Sequence, residues 1–328
     1  MQEITGCIHT GGVILTNPLI SITVCVRNGK RWIDHCMKAI CAQTYHPIEV
    51  IAVDDGSTDG GTEVLQKWHN LEPISGEVSV RVISQKQLGL SAGRNRALNE
   101  ANGEWVAITD IDCKPRPNWI EKLFASSEGF EAVTGRVLFD EGRTSVSRLR
   151  ATSVANKYSK RGEKATLANG PCSMFKRDSL ISRGGFDPEW FHAEDMEVSM
   201  KILESGGTIR YVPDAIVDHV AENNLGHFLQ KRRRDARAHI RIMRKYPRIK
   251  HDFTSDGKFV MIILPLLFIS VIFGVVDSLI SLIFMMICVL IFRNYLLWSA
   301  ALWIGALEGY NDAIRGINGH SRLFRKEI

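Results

Sequence analysis

Seven cysteines are scattered along the 328 residues without a CxxC pair or a Cys/His cluster. A disulfide framework or a structural zinc site therefore has nothing to build on, and a reducing compartment is expected. Glycine-rich phosphate loops are missing too. The turn after the first strand-like run is RNGK (27–30), which leaves no G-x-G-x-x-G, and G-x-x-x-x-G-K-[ST] occurs nowhere. Dinucleotide redox enzymes and P-loop enzymes thereby lose their phosphate-binding element. The same turn is too short for the glycine-rich, basic loop of a nucleotidyltransferase. The N-terminus has neither the basic start nor the long apolar run of a secretory signal. There is no internal repeat and no low-complexity tract.

Acid is scarce in one region. Residues 227–251 hold ten Lys/Arg and a single acid, Asp235, so this segment carries +9 against +5 for the whole chain. Stacking aromatics are sparse there, and an apolar stretch follows closely. Anionic lipid is thus the expected partner, and nucleic acid is not. Charge then vanishes: FVMIILPLLFISVIFGVV (259–276) has none in eighteen positions, and SLISLIFMMICVLIF (278–292) follows Asp277. A spanning helix needs about 20 apolar residues, so the two runs predict a transmembrane hairpin, with a buried core hairpin as the alternative. Lys/Arg flank both ends and are absent from the connection, which places both flanks on the cytoplasmic side of the cell membrane. YLLWSAALWIGAL (295–307) is shorter and Trp-rich, as expected of an interfacial helix. The expected organisation is a catalytic domain over 18–225, a basic juxtamembrane amphipathic segment over 226–257, a two-span hairpin over 258–293, and an interfacial helix with a basic tail over 294–328.

Residues 18–225 alternate strand and helix. ISITVCV (20–26), IEVIAV (48–53), VRVIS (80–84) and EWVAIT (104–109) are β-rich runs bounded by turn residues. Between the first two, RWIDHCMKAICAQ (31–43) sets Trp32, Ile33, Cys36, Met37, Ile40 and Cys41 on one helical face, and a second helix is expected over 91–101. The pattern predicts an α/β fold with a mostly parallel, Rossmann-like sheet and helices on both faces. Ligands of such sheets sit beyond the carboxyl ends of the strands. The acids fall there: Asp54 and Asp55 end one strand, and Asp110 and Asp112 end another. Two like charges at a strand end raise each other's pKa. A hard divalent cation bridging to phosphate oxygens would turn that repulsion into ligation, so Mn2+ or Mg2+ is the expected cofactor.

In order, ITVCVRNG, VDDGSTDGG (53–61), GLSAGRNRAL (89–98), ITDIDC, RGGFD (183–187) and HAEDMEVSMKI (192–202) resemble the family 2 inverting glycosyltransferases of the GT-A fold. The likeness covers roughly residues 18–225. It implies a nucleotide-sugar donor, UDP- or GDP-linked, a divalent metal, and inversion by direct attack of an acceptor hydroxyl. Residue by residue, it implies that Asp55 holds the base with Asp54 beside it, that Arg94 reaches the nucleotide, and that Asp110 contacts the ribose or a metal-bound water. It further implies Asp112 as a direct metal ligand and Asp195 as the general base. Glu194, Gly185, Gln230 and Arg233 are placed on the acceptor or diphosphate side. Processive members carry Q-x-x-R-W; here Gln230 and Arg233 occupy the pattern but Arg234 stands where Trp would, which weakens a polymer-synthase reading. Local structure explains some of the same residues: Ser57, Thr58 or Asp59 can cap a helix, and acids suit a first helical turn.

The function expected is transfer of a sugar to a membrane-associated, lipid-linked or polysaccharide acceptor at the cytoplasmic leaflet, in glycan assembly. Transfer to polyprenyl or dolichyl phosphate is the alternative within enzymes. A non-catalytic nucleotide-sugar-binding subunit is the alternative outside them, and the presence of both Asp112 and Asp195 argues against it.

Overall fold

The valine- and isoleucine-rich runs form strands. β1 (Ile20–Val26) pairs in parallel with β2 (Ile48–Asp55) and with β4 (Trp105–Asp110), and β2 pairs in parallel with β3 (Val78–Gln85). Every residue of β2 is buried, as a strand covered on both faces requires. The covering helices are α1 (Ile33–Cys41), α2 (Gly61–Gln66) and α3 (Leu90–Glu100). The computed structural model describes residues 17–69, 78–190, 192–250, 256–272 and 292–317, with 286, 289 and 290. Register puts Cys25 beside both Val53 and Asp110, and Val26 beside Asp54. The carboxylates at the ends of β2 and β4 therefore share one rim of the sheet.

Beyond β4 the sheet changes character. β5 (Cys113–Pro115), β6 (Ala132–Phe139), β7 (Lys164–Ala165), β8 (Ser173–Lys176) and β9 (Ile209–His219) complete the order β3-β2-β1-β4-β8-β6-β9-β5, with β7 on β9. β8 runs antiparallel to β4 and β6, and β5 and β7 run antiparallel to β9; only β6 and β9 are parallel here. The sheet is mixed, which corrects the expectation of a mostly parallel one. Strand direction leaves no mark in the sequence, because side chains alternate with period two in either orientation. The remaining helices of this part are α4 (Trp119–Ala125), α5 (Ser145–Ser159), α6 (Arg177–Ser182) and α7 (Glu194–Glu204).

The basic segment forms α8 (Leu225–Lys245), capped by Asn224 accepting from His227 N–H at 3.2 Å. It does not lie apart from the catalytic body. Ala238 and Ile242 pack with Leu167, Trp190 and Met200, while Phe228 and Ala236 pack with Val146, Trp298 and Leu302. The boundary expected at 225 thus falls within continuous packing. After α8 come α9 (Asp256–Ile272) and α10 (Arg293–Ile314). Gly305 lets α10 approach α8: a Cβ there would stand 2.1 Å from the Arg233 carbonyl oxygen.

The cations of α8 are largely committed within the protein, which corrects the picture of a lipid-facing run. Lys231 pairs with Glu222, Arg232 with Asp235, Arg233 with Glu308, Arg237 and Arg241 with Asp312, and Lys245 with Glu197. The reason is local: α10 carries its two carboxylates one turn apart, facing arginines spaced by four along α8. Among the described residues, no helix is long and apolar enough to cross a membrane. The first expected span is described as far as Ile272, and most of the second, 278–292, lies outside the described residues.

Exposure separates the strong pairs from the weak. Asp312 and Arg241 are 3% and 1% exposed, whereas Arg233 is 45% exposed. Asp312→Asn strands two guanidinium groups and is expected to cost about 3 kcal/mol, as removing one partner of a buried pair does. Glu308→Gln at the exposed pair is expected to cost less than about 1 kcal/mol. Denaturant unfolding of both variants checks this, and equal losses would refute the burial argument.

Candidate active site

Arg94 sits at the centre of the site. Its side chain is 3% exposed, and its two terminal nitrogens go to different elements: Nη1 donates to Glu194 Oε1 at 2.5 Å and Nη2 to Asp110 Oδ1 at 2.9 Å. The guanidinium also lies over the Phe186 ring, 5.4 Å from its centroid. Arg94 lines the cavity and also ties the end of β4 to the start of α7. Burial pushes the Glu194 carboxyl up to about 7, against the pull of Arg94. Glu194 is accordingly engaged by this bridge while it also lines the cavity.

Asp195, its neighbour, is placed differently. Oδ2 accepts from Gly170 N–H and Oδ1 from Met196 N–H, each at 2.9 Å. Each oxygen keeps a lone pair, and both Asp195 and Gly170 line a cavity of about 380 Å³. The loop carrying Gly170 is fixed from below, since Asn169 Nδ2 donates to Thr134 Oγ1 at 2.7 Å and to the Gly135 carbonyl at 3.1 Å. The residue before α7, Ala193, has φ of 65°. A left-handed conformation costs a non-glycine residue about 1–2 kcal/mol, and such strain concentrates at functional sites. Here it turns the chain so that Glu194 and Asp195 enter the cavity at the helix N-terminus, where negative charge is favoured.

A second cluster reaches the same cavity through Asp110 and His219. Asp110, Asp112, Cys113 and His219 bring one ligand atom each to within 4.8 Å of one another. Register explains the gathering: Cys113 pairs with His219 across β5 and β9, so the end of β9 meets the link that leaves β4. His219 Nε2 lies 3.7 Å from Asp112 Oδ1, and its ring stacks on Phe139 at 4.5 Å. Burial raises the Asp112 carboxyl and lowers the His219 imidazole, each against the attraction of the other. A cation bound among them would reverse the first effect, and a neutral imidazole is ready to ligate. Carboxylate and imidazole donors suit Mn2+. Burial pushes the Cys113 thiol far above its usual range, so the carboxylates and the imidazole are the readier donors. His219 was absent from the sequence-based set, because a single histidine ending a strand carries no spacing signal.

The other expected residues fall into two groups. Asp54 and Asp55 reach the right rim but are buried and engaged. Asp54 accepts from Ser57 N–H at 3.2 Å and Thr62 Oγ at 2.6 Å; Asp55 accepts from Gln85 Nε2, Leu88 N–H and Gly89 N–H, each at 2.8 Å. They shape the loops beyond β2 and β3. Asp59, not Asp54, accepts from the first helical N–H of α2, at 2.9 Å. Gly185, Gln230 and Arg233 do not line the cavity. Gly185 has φ of 64°, and a Cβ on it would stand 2.5 Å from Asn95 Oδ1, so it serves the turn against α3. Gln230 is exposed, and Arg233 is held by Glu308 on α10. Their expected acceptor-side or diphosphate roles gain no support from this cavity. Arg150, Lys157, Trp298 and Leu302, by contrast, do line the cavity.

A mixed α/β sheet with carboxylates gathered beyond its strand ends is the GT-A arrangement. The chain belongs to glycosyl transferase family 2, whose model matches residues 21–184, and the model of glycosyl transferase family group 2 matches residues 105–305. It is similar to glycosyltransferase AglE of Haloferax volcanii, 27% identical over 236 residues that span 69% of this chain and 75% of that one. It is also similar to the cholesterol galactosyltransferase of Borreliella burgdorferi, 34% identical over 105 residues, 32% of this chain and 28% of that one. Among solved structures it resembles the mannosyltransferase of Pyrobaculum calidifontis in complex with GDP-Man and Mn2+. The TM-score is 0.64 at 20% identity, covering 91% of this chain and 88% of the other.

His219→Ala is expected to lower Mn2+ affinity by at least about tenfold, the lower end of what losing even an outer partner costs a metal site. Cys113→Ser should leave it nearly unchanged. Calorimetric titration with Mn2+ checks both; a loss confined to the Cys113 variant would make the thiolate a ligand and contradict a donor set of carboxylates and imidazole.

Proposed function

We propose that this protein transfers a sugar from a nucleotide-sugar donor to a hydroxyl of a membrane-borne acceptor, with inversion at the anomeric carbon. The observation that carries the reading is the position of Asp195: a carboxylate held by two backbone N–H groups, with lone pairs to spare, lining one cavity with Asp110 and His219, which cluster with Asp112. An acceptor hydroxyl is a weak nucleophile near neutral pH, and a carboxylate that takes its proton during attack removes that obstacle. Asp112 and His219, with Asp110 beside them, would hold a divalent metal, Mn2+ or Mg2+. When bound, the metal neutralises the charge that develops on the departing diphosphate. Asp54 and Asp55 order the rim where the nucleoside of a UDP- or GDP-sugar would lie.

The membrane part of the reading rests on where apolar surface is left open. Among the described residues, thirteen of the seventeen large hydrophobic side chains that are exposed belong to α9, α10 and the stretch between them, including Ile262, Leu266, Phe268, Trp303, Ile304 and Leu307. Contiguous apolar exposure on this scale marks an interaction surface. Trp and Tyr beside it suit a headgroup region, so α9 and α10 would rest on the cytoplasmic leaflet. The acceptor would enter beside Trp298 and Leu302, which belong both to the cavity and to α10. A lipid acceptor is the type named for the Borreliella burgdorferi relative.

Asp195→Asn keeps the size of the side chain and removes proton acceptance. Turnover is expected to fall by about 10²–10⁴, the usual worth of general-base catalysis, with nucleotide affinity in Mn2+ almost unchanged. The check is donor consumption with UDP- and GDP-sugars on membranes, alongside nucleotide binding. Near-normal turnover in this variant would remove Asp195 from the chemistry.

A further inference from the structure

The cavity is electrically divided. Toward the strand ends it presents Asp110, Glu194 and Asp195 around the single cation Arg94. Toward α5 and α8 it presents Arg150, Lys157, Lys231 and Arg232, and the carboxylates that answer them are Glu222 and Asp235. The lining as a whole therefore holds five cations against four carboxylates, with the imidazoles of His192 and His239 beside them. Two of the cations are poorly served. Among the described residues no carboxylate comes within ion-pair distance of Lys157; Asp195 and Asp235 act on it only from further off, and burial lowers its pKa to about 8. Arg150 is 3.5 Å from Glu222, its Nε makes no hydrogen bond, and its guanidinium rests on Phe139. A partly buried cation without an ion pair, as Lys157 is, is costly unless an anion completes it.

Asp195, the cations Lys157 and Arg150, and the Trp298 and Leu302 side chains of α10 all line this one space. An acceptor that places a hydroxyl at Asp195 and an apolar chain along α10 would have its connecting group among the cations. We infer that Lys157 and Arg150 form a subsite for the phosphoryl group of a lipid-phosphate-linked acceptor. A phosphate that links the hydroxyl-bearing part to the chain carries about −1, or about −2 as a diphosphate, and would complete the charge of Lys157. The donor diphosphate has its own partners at the opposite, acidic end, where a metal would screen it. The inference rests on the transfer reading above, and it assigns the acceptor's chemical class.

The test is binding, so that it fails separately from turnover. The full chain is mixed, in EDTA, with neutral phosphatidylcholine vesicles doped with a polyprenyl phosphate, with a polyprenol, or with phosphatidylglycerol at matched surface charge. The expected result is about tenfold tighter binding to the prenyl-phosphate vesicles than to either other set, the worth of a charge-assisted contact. Lys157→Ala is expected to abolish that preference, and Lys157→Arg to restore it. UDP and GDP affinity in Mn2+ should be unchanged in both variants. Equal binding to prenyl-phosphate and phosphatidylglycerol vesicles would reduce the effect to surface charge and overturn the inference. So would a parallel loss of nucleotide affinity, which assigns Lys157 to the donor, or displacement by inorganic phosphate at the concentration at which the lipid phosphate binds. Loss of turnover in the Asp195 variant bears only on the transfer reading.

Discussion

Everything at the site depends on one buried guanidinium. Arg94 joins Asp110, at the end of a central strand, to Glu194, at the start of α7. Without that cation two carboxylates would meet in a space largely closed to water, where like charges cannot both ionise cheaply. With it, the strand end and the helix N-terminus are locked at a fixed separation. Asp195 follows Glu194 by one residue, so the same bridge fixes where the candidate base points, and the backbone N–H of Gly170 fixes how far it swings. The acid that neighbours the chemistry is consumed by structure, and the next one is left free for it.

The C-terminal helices extend this logic outward. α8 is held to the catalytic body by apolar packing on one side and to α10 by arginine–carboxylate pairs on the other. Through these contacts α10 brings Trp298 and Leu302 to the cavity wall while leaving a broad apolar face uncovered. A wall shared between the reaction space and an apolar surface gives a membrane-borne acceptor a short path to the base. The charge that looks excessive in the sequence is mostly balanced in the fold.

How far the sequence foretold this depends on the kind of signal. β1 was legible residue for residue, and α3 was displaced by a single position, because fully buried strands and amphipathic helices write their periodicity plainly. The acids at strand ends were legible for the same reason. Strand direction in the second half of the sheet was not, since it has no side-chain signature. Partners across long separations were hidden as well: nothing near Arg233 announces Glu308, and nothing near Arg94 announces Glu194, one hundred positions away. The likeness to known transferases supplied roles for Gly185, Gln230 and Arg233, none of which lines this cavity. His219 and Lys157, each a lone polar residue in its own stretch, needed the folded chain to bring them to the cavity.

The most direct measurement is the anomeric configuration of the first product, read by proton NMR from the coupling at the transferred sugar before mutarotation. A single displacement with Asp195 as base and no covalent intermediate predicts a configuration opposite to that of the donor. Retained configuration would contradict it, because retention requires either a nucleophilic side chain or front-face attack, and the Asp195 carboxylate would then have no proton to take in the way proposed.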